Sequence, residues 1–169
     1  YSPKIKRWII GLLISVLSSS YSWAQVAITS TVTNEITVNE ENGTFSVLVE
    51  NLSNQTIEDI VIGIELPNGI NYSLNSFNVI QGQQSYILGD NISTIQIPVL
   101  NANSNTEFSI QIKANCSAID YQLNGYVFRN NISVAYNNTS LNHQSPPFNI
   151  LYGALSIINV APKNTTITS

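Results

Sequence analysis

Charge is the scarcest property of this sequence: only 9% of its 169 residues are Asp, Glu, Lys or Arg. It also holds one histidine, one cysteine and no methionine. The few basic residues are scattered, which excludes a nucleic-acid partner, because phosphate binding needs clustered Lys and Arg. The single cysteine, Cys116, excludes an internal disulfide, so stability must rest on an apolar core. Two readings of Cys116 stay open: a small core filler near a strand end, or a partner for a cysteine beyond the C-terminus. With Tyr first and no methionine anywhere, the sequence is expected to be a piece of a longer protein.

The first 24 residues have the three parts of a secretory signal. Lys4, Lys6 and Arg7 form a basic start, Trp8 to Leu17 an apolar run, and Ser22-Trp23-Ala24 a small-residue cleavage site. The apolar run is about 10 residues, well short of the ~20 that a membrane helix needs. A signal-peptide helix removed after Ala24 is therefore expected, with no membrane span left behind. Removal takes three of the six basic residues and none of the ten acids. Lys113, Arg129 and Lys163 then face ten carboxylates, a net charge of −7.

The remaining sequence alternates. Phe45, Val47 and Val49 interleave with Ser46, Leu48 and Glu50, the period of two that turns one side of a strand to a core. Asn51 to Thr56 supplies turn-forming side chains. Ile60, Ile62 and Ile64 resume on one face, and Val61 on the other predicts cover on both sides. Pro67 and Gly69 stop this strand. Earlier, Val26 to Val38 reads as a first strand broken near Asn34, and Asn42-Gly43 as a hairpin turn. Ile70 to Val79 predicts a short, weak strand pair near an edge, and Tyr86 to Leu88 another short strand.

In Ile92 to Leu100, Ile95, Ile97 and Val99 are expected on one side, with Pro98 marking an edge or a bulge. Glu107 to Ala114 alternates most cleanly and is expected at the centre of its sheet. Tyr121 to Phe128 and Ile132 to Tyr136 read as a last hairpin, and Asn137 to Ser145 as polar connection. No stretch after the signal has helical periodicity. The pattern predicts an all-β, antiparallel Ig-like β-sandwich of about seven strands over residues 25–145. Pro146-Pro147 opens a stiff linker, 146–154. Residues 155–169 repeat the texture of 28–38, an apolar strand, a break at Asn and a β-branched strand, and are expected to begin a second, truncated β repeat.

Val49, Asn51 and Ser53, then Ile60, Ile62 and Ile64, then Leu66-Pro67-Asn68-Gly69-Ile70 and Tyr72 carry a family likeness. Over Val26 to Ser145 the chain resembles the bacterial conserved-repeat domain, an Ig-like module of unknown molecular function. Cys116 at a strand end and the Leu155-Ser156-Ile157 run resemble tandem arrays of that module in large exported surface proteins of gliding bacteria. The resemblance implies export to the cell surface or beyond, through a C-terminal sorting domain read by the type IX system. It implies neighbouring repeats as partners.

Chemistry has little to work with. His143 lies between Asn142 and Gln144 with no nucleophile or ligand beside it, and reads as a surface side chain. Glu58 and Asp59 point to opposite faces if they sit in a strand, which suits a solubilising edge better than acid–base work. Glu40 and Glu41 lack the oxygen set of a calcium loop. Asn-x-Ser/Thr triplets start at Asn42, Asn51, Asn91, Asn131 and Asn138, and mark glycosylation only in a eukaryotic host. Tyr72, Tyr86, Tyr121, Tyr126 and Tyr136 suit core or hairpin packing, and a sugar-stacking platform only if several share an outer face. No catalytic, cofactor-binding or metal-binding residue is assigned. The expectation is a non-catalytic structural or adhesive repeat module. The alternatives are a module binding surface glycans or proteins, and an accessory domain of a secreted hydrolase.

Overall fold

The hub of the architecture is strand β9, Asn105–Ala114, in a computed structural model that describes residues 25–39, 42–82, 86–88 and 93–152. Phe108, Ile110, Ile112 and Ala114 all turn into the core. The strand takes partners on both edges. Strand β3 (Gly43–Asn51) pairs along one edge, and β5 (Ile70–Tyr72) and β6 (Asn78–Gln81) share the other. Strand β1 (Val26–Val32) pairs with the outer side of β3. Phe45, Val47 and Val49 of β3 are fully buried, as their alternation predicts.

The second sheet runs β11-β10-β4-β8-β7. Its members are Thr139–Gln144, Asn131–Tyr136, Ile57–Glu65, Thr94–Leu100 and Ile87–Leu88 respectively. All pairs in both sheets are antiparallel, and their inner faces meet in one core. This is the expected Ig-like sandwich, with twelve strands among the described residues. The expected signal segment, residues 1–24, and the expected second repeat within residues 153–169 lie outside the described residues.

Several local expectations fail for identifiable reasons. Val61 is 38% exposed, because no described residue covers the outer face of the second sheet at that point. Val99 is exposed while Leu100 is buried. The faces of β4 and β8 switch together where Asp59, with φ +53°, stands opposite Pro98 and the two are skipped in the register. Glu58 and Asp59 are both exposed on β4, a central strand and not an edge. Asn42-Gly43 closes no hairpin. Instead β2 (Glu35–Thr37) leaves the first sheet and pairs in parallel with β12, Asn149–Leu151.

The largest corrections fall after Ala114. Residues 116–123 form a helix, α1 (Cys116–Leu123), so Tyr121 to Phe128 is not a hairpin strand. Its caps explain it. Asn115 accepts from the amide and hydroxyl of Ser117 at 2.9 and 2.6 Å, satisfying a free first-turn donor. At the other end Gly125 has φ +78°; its amide bonds Gln122 O, and the Tyr126 amide bonds Tyr121 O, the paired bonds of a Schellman stop. Strand β10 pairs with β11 instead, through a two-residue turn in which Asn137 and Asn138 both have positive φ. The polar connection expected over 137–145 is thus mostly an edge strand.

Helix α1 rests on the Leu66-Pro67-Asn68-Gly69 turn. Gly69 has φ +84°, and a Cβ there would stand 2.6 Å from the Ala118 amide nitrogen. Only glycine meets both demands. The helix also holds β12. The Gln122 amide accepts from Ile150 N at 2.6 Å and donates to Ile150 O at 2.8 Å, completing the side of β12 that β2 does not reach. Phe148 and Ile150 are buried in the common core, so residues 148–151 of the expected linker belong to the packed unit.

Candidate functional site

The outer face of the second sheet carries a shallow concavity of about 610 Å3. Alternation on β10 sends Ile132, Val134 and Tyr136 inward and Asn131, Ser133 and Ala135 outward. Gly63 on β4 stands opposite Ser133, and a Cβ there would meet Ser133 Oγ at 2.6 Å. The missing side chain therefore makes the floor of the hollow. Its walls are polar and carry one carboxylate, Glu65. Gln144 Nε2 donates to Asn131 Oδ1 at 3.0 Å, and Asn131 Nδ2 donates to Glu65 Oε2 at 3.3 Å. Asn142 and Ser93 complete the rim. One carboxylate and a set of amides and hydroxyls can bind a hydroxylated or amide-bearing ligand. No motif in the sequence marks this hollow, because it depends on a glycine facing a serine across strands.

His143 also lines the hollow, but its side chain lies half-buried on the inner side of β11, where its Nε2 and Ser30 Oγ share a hydrogen bond of 3.0 Å. It joins the edge of the second sheet to β1 of the first, and is not the free surface side chain expected. Cys116 is exposed at the first position of α1, 3.3 Å from Asn39 Nδ2, and is not a core filler. Among the described residues no group of three His, Cys, Asp or Glu side chains could hold a metal ion. No described helix is long and apolar enough to cross a membrane.

The five tyrosines divide. Tyr136 is buried. Tyr72 spans the sandwich, its hydroxyl donating to Ile64 O at 2.7 Å, and burial with the nearby Glu65 charge pushes its pKa up to about 12. Tyr86 bonds the Thr106 hydroxyl and packs edge-on against Phe77 and Phe108; burial raises its pKa. Only Tyr121 and Tyr126 share an outer surface, with ring centroids 5.8 Å apart. Their contact is the side-chain pairing that accompanies the helix stop, so the packing account covers them as well. The two described basic residues are separate: Lys113 is exposed on β9, and Arg129 donates to Ser145 O at 3.0 Å.

No protein-family model and no curated protein matches the chain. Solved structures share its fold. The full-length RrgB pilus protein from Streptococcus pneumoniae superposes with a TM-score of 0.51 at 9% identity, over 69% of this chain and 23% of that one. The full-length major pilin SpaD from Corynebacterium diphtheriae gives 0.51 at 10% identity, over 72% and 34%. The chain spans about a quarter to a third of the length of these two proteins. At such identities the likeness is one of fold: this chain is an Ig-like β-sandwich similar to domains of bacterial pilus proteins.

Proposed function

We propose that the chain is a non-catalytic structural module of a larger bacterial protein, exported by the signal at residues 1–24 and held at the cell surface or secreted. It acts as a stiff spacer in a tandem array of the conserved-repeat type known from large surface proteins of gliding bacteria, with a second repeat opening at residue 155. The likeness of fold to two pilus proteins supports this reading. So does the Leu66-Pro67-Asn68-Gly69 turn, whose glycine seats α1.

The observation that carries the proposal is the parallel pairing of β2 with β12. Tension that passes β1 draws β2 toward its start, and tension leaving the C-terminus draws β12 toward its end. Because the strands are parallel, these pulls oppose each other along the strand axis. The bonds between them are loaded together in shear and do not open one at a time. Asn149 N to Asn34 O at 2.8 Å and Val38 N to Leu151 O at 3.0 Å flank this pair, and Gln122 braces β12 from the other side.

Single-molecule extension of the 169-residue chain by its two ends tests it. The expected record is one cooperative unfolding event that releases the chain between β2 and β12 together, at a force lowered by Gln122→Ala. Early release of residues 148–152 alone, with the sandwich still folded, would contradict the proposal.

A second reading is favoured by the hollow over Gly63: recognition of a neutral, hydroxylated surface glycan or a peptide amide. Gly63→Val fills that floor, so binding on a glycan array that survives this substitution would rule the hollow out.

A further inference from the structure

Asparagine followed by glycine can rewrite its own backbone, because glycine has no side chain to screen its amide nitrogen from the asparagine side chain before it. The chain holds three such pairs, Asn42-Gly43, Asn68-Gly69 and Asn124-Gly125. All three asparagines are exposed, so solvent access does not separate them. Hydrogen bonding does. Asn42 is held at both ends of its amide, Nδ2 donating to Gln111 Oε1 at 3.2 Å and Oδ1 accepting from Ser73 Oγ at 2.9 Å, and Gly43 is buried in β3 opposite Ile112. Asn124 Nδ2 donates to Asp120 O at 2.8 Å, and the Gly125 amide donates to Gln122 O at 2.9 Å. At the middle pair neither group is tied: among the described residues the Asn68 side chain and the Gly69 amide have no hydrogen-bond partner.

We propose that Asn68-Gly69 is a site of spontaneous deamidation that loosens the seat of helix α1 as the protein ages. The Gly69 amide nitrogen, giving its proton to hydroxide, attacks Asn68 Cγ. A C–N bond forms and the Cγ–Nδ2 bond breaks. With a proton from water the leaving nitrogen departs as ammonia, and a succinimide ring remains. Water then opens the ring at either carbonyl. One opening gives aspartate; the other gives isoaspartate, in which the main chain runs through the side-chain carbon and is one methylene longer. The turn has no room for the longer chain. Gly69 O accepts from Asn115 N at 2.9 Å, and the glycine lies so close to α1 that a Cβ would stand 2.6 Å from Ala118 N. Isoaspartate displaces Gly69, and with it the contact that positions Asn115, the residue capping α1.

Holding the 169-residue chain in mildly alkaline buffer and mapping its peptides by mass spectrometry tests the proposal, with isoaspartyl methyltransferase labelling to tell the two products apart. In the folded protein Asn68 is expected to convert about 10-fold or more faster than Asn42 and Asn124, since each of those must first break two hydrogen bonds of ordinary net strength. In urea the three are expected to convert at like rates. Equal rates in the folded protein would overturn the site, and so would a lead of Asn68 that urea leaves unchanged. Amide exchange tests the consequence. In isoaspartate-bearing protein the Asn115 and Ala118 amides are expected to exchange faster, with Phe108 and Ile110 as slow as before. Asn68→Asp, which adds the charge without the extra methylene, is expected to leave all four unchanged. Slow exchange at Asn115 and Ala118 in the isoaspartate form would overturn the loosening, as would an equal effect of Asn68→Asp.

Discussion

The body of the sandwich and its closure are held by different means. In the body of the sandwich, β3, β9, β4 and β8 are held by continuous backbone ladders over a core in which Phe45, Phe108, Ile60, Ile95 and their neighbours are fully buried. The segments that close the module, helix α1 and the chain entering β10 and β12, lean on single side chains as well: Asn115 at the helix start, Ser145 Oγ accepting from Asn130 N, and Gln122 standing in for a strand along Ile150. Ladders are set by pattern and tolerate many sequences. Closures of the second kind depend on one residue each, so a single substitution there loosens the exit of the chain without dissolving the core.

That contrast can be broken most forcefully in the body. Phe108→Ala is expected to cost about 4 kcal/mol by opening a cavity among Phe77, Tyr86 and the inner faces. Chemical denaturation reads it as a lower midpoint at unchanged slope. Asn51→Ala comes next, at about 3 kcal/mol. The Asn51 side chain is buried where β3 turns toward the second sheet, donating to the carbonyls of Gln55, Leu100 and Asn101 and accepting from Ser53, and its loss strands several of these groups. In the closure, Gln122→Ala is expected to cost only about 1–2 kcal/mol globally. Its mark is local: faster exchange at Ile150, with Ile110 unchanged.

The smallest effect is one of pH. The Tyr72 hydroxyl titrates at about 12 in the folded chain against 10 for an ordinary tyrosine, so its contribution is complete below pH 10 and is lost as pH rises from 10 through 12. Tyr86 is shifted in the same direction by burial. Ultraviolet titration of the phenols is expected to show a late fraction that shrinks in Tyr72→Phe. A single transition near pH 10 would contradict the placement of Tyr72 between the sheets.

The same contrast governs what the sequence reveals. Strands β3, β4 and β9 are legible because one face of each is buried and alternation survives in Phe45-Val47-Val49, Ile60-Ile62-Ile64 and Phe108-Ile110-Ile112. Where the partner is specific, pattern fails. Strand β11 lies at an edge, so Thr139 to Gln144 needs no apolar face and reads as loop, although Asn137-Asn138 suits the tight turn before it. Helix α1 buries only Ala118 fully and has almost no apolar stripe, but Asn115 and Gly125 stood in the sequence as its start and stop signals. Strand β12 follows two prolines and is short; it exists because β2 and Gln122 supply partners that no local rule names. The hollow over Gly63 is illegible for a similar reason, since a glycine in a strand carries no sign of which residue stands across from it.

Hydrogen exchange at Asn149 and Ile150 tests the account most directly, because the closure of the module rests on the bonds from these two amides to Asn34 O and Gln122 Oε1. The account predicts that both exchange far more slowly than an open chain, and that Ile150 alone is released by Gln122→Ala. Exchange at the open-chain rate in the unaltered protein would make residues 146–152 a linker after all and remove β12 from the fold.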